Sequence, residues 1–105
     1  MGRHRSATSK RAARLQDLAE HERAMLGRVG ARITTLRRQG EHLSIAELAQ
    51  AAGLHPSYLG EVERGQANVS VLSLLRVAAA LQVPLAALLG EEPLPATGEG
   101  GHVAP

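Results

Sequence analysis

The chain has 105 residues, no cysteine, a single aromatic residue (Tyr58) and a formal net charge of +2. That leaves room for one domain plus tails, excludes disulfides and thiolate metal sites, and disfavours sandwiches and barrels, which draw on β-branched and aromatic residues. No apolar run approaches a bilayer crossing, and the basic N-terminus lacks the apolar stretch of a signal peptide, so a cytoplasmic protein without a membrane partner is expected.

Ala, Leu, Arg, Glu and Gln dominate, and these are good helix formers; the expected fold class is all-α. Residues 1–8 are polar, small and basic and read as disordered, with Thr8 or Ser9 as a helix cap. The charge is uneven: residues 1–38 hold ten Arg/Lys against three acids, residues 39–105 two against seven. Arg3, Arg5, Lys10, Arg11 and Arg14 precede the first acid. Such a block fits a solvated tail and a phosphate-touching arm equally.

Leu15, Leu18, Met25/Leu26, Val29, Ile33 and Leu36 then recur at spacings of three and four, which is helical periodicity. Gly27 and Gly30 lie inside it, each costing about 1 kcal/mol relative to Ala. The stretch is either one long helix or two with a joint near Gly27. Gly40 ends it, and residues 41–43 connect to the next element. Ser44-Ile45-Ala46-Glu47 fits a capping box, opening a helix that runs to about Ala52 and stops at Gly53, where a sharp reversal needs positive φ. Pro56 suits the first turn of another helix, which continues through Tyr58, Leu59 and Val62 to Gly65. Ser70 caps a strongly apolar helix containing Leu72, Leu75, Ala78, Ala79 and Leu81. Val83-Pro84 breaks it, and Leu85, Leu88 and Leu89 form a short last helix before Gly90. Residues 91–105 are Pro/Gly-rich and read as a flexible tail. The expected organisation is a basic arm and possible extra helix over 1–23, a domain over 24–90 and a tail over 91–105.

Residues 44–65 are the most informative stretch. Two short helices joined by a Gly-containing turn follow from the pattern, with Leu48, Leu54, Leu59 and Val62 in their shared core and Ala49 at the close approach. Ser57, Gly60, Glu61 and Arg64 fall on the opposite face, toward solvent. A short exposed helix held against another is what the major groove of B-DNA accepts.

Residues 26–89 resemble the Cro/C1-type (XRE-like) helix-turn-helix regulators. The resemblance is carried by Leu36-Arg37, Leu43-Ser44, Glu47-Leu48-Ala49, Ala52-Gly53-Leu54, Ser57-Tyr58-Leu59, Glu63-Arg64-Gly65, Asn68, Leu74-Leu75, Ala78, Leu81 and Val83, in order and at family-like spacing. It implies a five-helix, lambda-repressor-like DNA-binding domain, here with an N-terminal helical extension. The motif spans about 45–64, with His55–Arg64 as the recognition helix. It also implies a transcriptional regulator that binds double-stranded DNA as a homodimer and joins the nucleoid when bound.

Carried over by position, base reading falls on Pro56, Ser57 and Glu61. Ser57 can bond almost any base, and Glu61 can accept from a cytosine amino group. Further DNA-binding candidates are Ser44, Gly60 and Arg64, with Arg64 the one side chain suited to guanine. His55 is either a phosphate neighbour or an idle turn residue. The Tyr58 ring packs at the core edge with its hydroxyl available to phosphate, and Asn68 lies near DNA or simply holds its loop. Arg37 and Glu63 match the positions of a buried ion pair in relatives. Ile45 replaces a common phosphate-touching Gln, Val69 replaces a loop Pro, and the first connection carries one extra residue.

An enzyme is not expected. His4, His21, His42, His55 and His102 show no metal-ligand spacing, Asp17 is the only Asp, and no cofactor or metal site is indicated. Gly27-Arg28-Val29-Gly30 spells a KH-type loop in a chain lacking the strands such domains need. The other function class is a protein-interaction module of the same fold, an antitoxin or modulator. Its supports are the acidic recognition helix and the apolar residues Leu15, Leu18, Leu85, Leu88 and Leu89, which would also serve a homodimer.

Overall fold

The computed structural model describes residues 3–40 and 43–90, with side chains from residue 10 onward. They form five helices and no strand: α1 (Arg3–Gln39), α2 (Ile45–Ala52), α3 (Pro56–Glu63), α4 (Val71–Leu81) and α5 (Leu85–Leu89). The expected tail over 91–105 lies outside the described residues.

α1 is one helix of 37 residues. It begins at Arg3, not after a disordered segment, and neither Thr8 nor Ser9 caps it. Residues 3–26 contain no Gly or Pro, and a run of Ala, Arg, Lys, Leu and Glu has no local reason to stop. Nor does α1 break at Gly27. Residues 10–24 stand clear of the other helices, with only Ala19 partly covered. Packing starts at Met25 and is carried by Val29, Ile33 and Leu36.

Gly30 is where α1 meets α3. A Cβ there would collide with the backbone carbonyl oxygens of Val62 and Glu63, so the propensity lost to glycine is offset by a close helix crossing. At Gly65, φ is +74° and a Cβ would sit 3.0 Å from the Cα of Gly27. The two α1 glycines thus admit the C-terminal end of α3.

The caps follow the local code. Ser44 accepts from the Glu47 backbone N–H at 3.1 Å, while the Glu47 carboxylate accepts from the Ser44 N–H at 2.9 Å, the reciprocal pair of a capping box. Gly53 at φ +72° ends α2, with its N–H and that of Leu54 returning to the last-turn carbonyls. Ser70 caps α4 by accepting from the Ser73 N–H at 3.0 Å. α4 ends one step before the expected Val83-Pro84 break: Gln82 takes φ +62° and lets the Val83 N–H reach the Ala78 carbonyl. A left-handed non-glycine costs about 1–2 kcal/mol, and Pro84, which disfavours helical backbone at Val83, makes an abrupt exit necessary.

The core gathers Val29, Ile33 and Leu36 of α1, Leu48, Ala49 and Ala52 of α2, Leu59 and Val62 of α3, Leu74, Val77 and Ala78 of α4, and Ala87 and Leu88 of α5. α2 packs on α3 and α4, α1 on α3 and α5, and α4 on α5. Leu88 is fully buried and Leu85 half-buried, so of the three α5 leucines expected as a free apolar patch only Leu89 remains exposed. Exposed instead are Val71, Leu72 and Leu75 on α4. No helix among the described residues is long and apolar enough to cross a membrane.

Candidate nucleic-acid interface

α3 shows how its sequence makes an exposed, rigid helix. Pro56 occupies the first turn, where its missing N–H is no loss. Leu59 and Val62 are buried at 0% and 2% exposure, while Pro56, Ser57 and Glu61 face solvent. His55 is the N-cap: its Nδ1 accepts from the Ser57 backbone N–H at 3.3 Å and lies 2.9 Å from Ser57 Oγ. The cap is thus a histidine ring in a position where Ser, Thr, Asp or Asn is usual, and its tie to Ser57 has no counterpart in the sequence reading.

Gly60, expected on the open face, is buried. Arg64 folds back across it, with its NH1 3.3 Å from where a Gly60 Cβ would stand and its Nε donating to Gln66 Oε1 at 3.1 Å. The absence of a side chain at residue 60 creates the trough in which the guanidinium rests. Arg64 itself remains exposed, lying along α3 rather than projecting from it.

The far end of α3 is anchored by charge. Arg37 Nε meets Glu63 Oε2 at 2.8 Å and Arg37 NH2 meets Glu63 Oε1 at 2.9 Å, a bidentate pair whose side chains are 11% and 6% exposed. Arg37 NH1 donates to the Leu43 carbonyl at 3.0 Å, so one side chain ties α1 to α3 and to the α1–α2 connection. The pKa of Arg37 is raised, first by its hydrogen bond to Glu63 and also by the attraction of that charge, against the opposing effect of burial. Thr34 Oγ1 lies 2.8 Å from Glu63 Oε1 and 3.0 Å from the Gly30 carbonyl oxygen. Its single proton serves one acceptor at a time, and the carboxylate is the stronger. Sequence reasoning missed Thr34; its place one turn before Arg38 and three residues before Arg37 was the available signal.

Tyr58 is half-buried, and its hydroxyl donates to Ser73 Oγ at 3.3 Å. That bond joins α3 to the first turn of α4, so the phenol works inside the fold. Asn68 is exposed, and its side chain makes no hydrogen bond among the described residues, unlike the loop-holding role considered for it. Ser44 is exposed at the start of α2, with its hydroxyl engaged in the capping box. Ile45 packs partly against the core, so the helix start that often carries a polar contact is here a hydrophobic anchor. No three His, Asp or Glu side chains gather as metal ligands among the described residues.

The helix-turn-helix family model matches residues 36–88, which contain α2 and α3 and all but the last residue of α5. The immunity repressor protein of Bacillus phage phi105 is 41% identical over 66 residues, 63% of this chain and 45% of that protein. The control protein C.SmaI of Serratia marcescens is 39% identical over 57 residues, 54% of this chain and 68% of that protein. Among solved structures, the restriction-modification controller protein C.AhdI from Aeromonas hydrophila superposes with a TM-score of 0.60 at 43% identity. That match covers 62% of this chain and 97% of the controller. The chain therefore spans less than half the length of the phage repressor it matches.

Proposed function

This chain belongs to the helix-turn-helix family, and from that premise we propose that it binds double-stranded DNA sequence-specifically as a transcriptional regulator, with α3 in the major groove. The observation that carries the reading is the two-sidedness of α3: Leu59 and Val62 lock it into the core while Ser57 and Glu61, four residues apart, share one exposed face. Side chains four apart on a helix lie above one another, so both can reach neighbouring base edges from one groove. His55, Tyr58, Arg64 and Asn68 flank that face, and Ser44 marks the exposed start of α2. The names of the phage repressor and the two controller proteins support a regulatory role.

The proposed working form is a homodimer. One eight-residue helix reads few base pairs, and pairing over half-sites one helical turn apart doubles them. The exposed Val71, Leu72 and Leu75 of α4 offer an apolar face for a second copy.

Site selection from a randomised duplex library, run in parallel on wild type and Glu61→Ala, tests the proposal. Glu61→Ala is expected to lose discrimination at one base pair, by about 1–3 kcal/mol, while its affinity for unrelated DNA holds or rises because a negative charge near phosphates is gone. Identical selected motifs at equal affinity would mean that Glu61 reads no base, and no selected motif from either protein would make the protein-interaction module the better account.

A further inference from the structure

The ordinary serine is a poor discriminator, because its hydroxyl rotates to donate or accept as its partner requires. Ser57 does not have that freedom. His55 Nδ1 lies 3.3 Å from the Ser57 backbone nitrogen and 2.9 Å from Ser57 Oγ. A peptide N–H only donates, so the Nδ1 it points at carries a lone pair and the ring proton of the neutral histidine sits on Nε2. The hydroxyl oxygen, 2.9 Å from that same lone pair, meets it favourably only by giving up its proton to it. The opposite tautomer would aim two N–H groups at one another and undo the helix cap.

We infer that His55 sets Ser57 as a hydrogen-bond acceptor, so that Ser57 selects an amino-bearing base, adenine or cytosine, at the position it faces. The inference rests on the reading of α3 as a recognition helix and says which bases that helix takes. In the major groove only adenine N6 and cytosine N4 donate, whereas guanine presents N7 and O6 and thymine presents O4 and a methyl group. A hydroxyl whose proton is committed offers those two bases nothing they can accept. Pro56 beside it has no polar side-chain atom, and Glu61, one turn on, is also acceptor-only when ionised. Among the exposed side chains of residues 55–61 the outward donor is His55 Nε2–H, at the helix start, where phosphate is the nearest partner.

The full-length chain tests this in two steps. Selection from a randomised duplex library with wild type and Ser57→Ala locates the base that Ser57 reads, as the position where the variant's preference flattens. Competition binding with four duplexes differing only there is then measured for wild type, His55→Asp and His55→Ala. Wild type is expected to favour adenine or cytosine about fivefold, the lower end for a single contact. His55→Asp keeps an acceptor for both Ser57 donors, so it should retain that preference while binding every duplex more weakly through charge repulsion. His55→Ala frees the hydroxyl, and the preference should fall toward unity.

Histidine nitrogen chemical shifts of the free protein give a reading independent of DNA, with the proton of His55 expected on Nε2. A wild-type preference for guanine or thymine, an undiminished preference in His55→Ala, or a proton on Nδ1 would each overturn the inference. A Ser57→Ala motif identical to wild type would overturn it while leaving DNA recognition by α3 standing. Wild type that selects no motif from the library would instead remove the recognition-helix reading itself, and this inference with it.

Discussion

Arg37 ties α3 to α1 and to the α1–α2 connection. Its two hydrogen bonds to Glu63 and its third to the Leu43 carbonyl satisfy a guanidinium that is almost wholly shielded from water. Arg37→Ala leaves the Glu63 carboxylate buried with only Thr34 for a partner. The expected loss is about 3–5 kcal/mol, a large part of the total stability of so small a domain. Chemical denaturation of Arg37→Ala checks this. The double variant Arg37→Met/Glu63→Leu should recover much of the loss, because no charge then remains buried. A single variant that melts like wild type but binds DNA poorly would make Arg37 a phosphate contact instead. The sign of the titration follows from the raised pKa of Arg37. From neutral pH up to the guanidinium's ordinary range the pair's contribution is intact, and it is lost only as pH climbs through Arg37's raised value. Mild alkali should therefore leave this contribution untouched.

At the scale of the element, α4 is the helix whose two faces do different work. Leu74, Val77 and Ala78 face inward with 6%, 1% and 3% exposure, while Val71, Leu72 and Leu75 keep 66%, 59% and 46%. An apolar stripe so open on a short helix is unusual for a monomer and suits a copy of itself. Leu72→Glu/Leu75→Glu is expected to shift sedimentation toward the monomer and to weaken binding to a two-half-site duplex by at least tenfold. Its melting as a monomer should stay within about 0.5 kcal/mol of wild type, as for other surface substitutions. Equal sedimentation of variant and wild type would place the dimer contact elsewhere.

At the scale of the molecule, the described residues form a five-helix unit with a rod attached. From Met25 back to Arg11, α1 extends about 21 Å at 1.5 Å per residue, carrying Lys10, Arg11 and Arg14 clear of the domain. A helix presents its charges at a fixed spacing along its axis, unlike an irregular tail, so any phosphates it meets are set by its direction. Deleting residues 2–14 should flatten the salt dependence of duplex binding, by about 0.9 in the log–log slope for each phosphate no longer neutralised, and leave the ranking of DNA sequences unchanged. A slope equal to wild type would show the rod to be an ordinary solvated extension.

Helix order, the Ser44 and Ser70 caps and most of the buried faces of α2 and α3 were legible because each depends on neighbours in the chain. Ser44 and Glu47 find one another within a single turn, Gly53 and Gly65 relieve a local steric demand, and Leu59 and Val62 recur at helical spacing. Where α1 begins was misread because basic composition was weighed above the lack of any breaker between residues 3 and 26. Other features depend on residues far apart in sequence and could not be read from periodicity. Gly30 counts as a local weakness until α3 is laid against it. Leu88 is core because α5 turns back onto α1 and α4. The sequence by itself determined that this is a helical, helix-turn-helix chain and which residues make up α3, since those follow from short-range patterns. Only the tertiary structure decided which polar groups are already spent within the fold, Tyr58 on Ser73 and Arg37 on Glu63, because such bonds join residues far apart in the chain whose meeting composition and spacing do not encode.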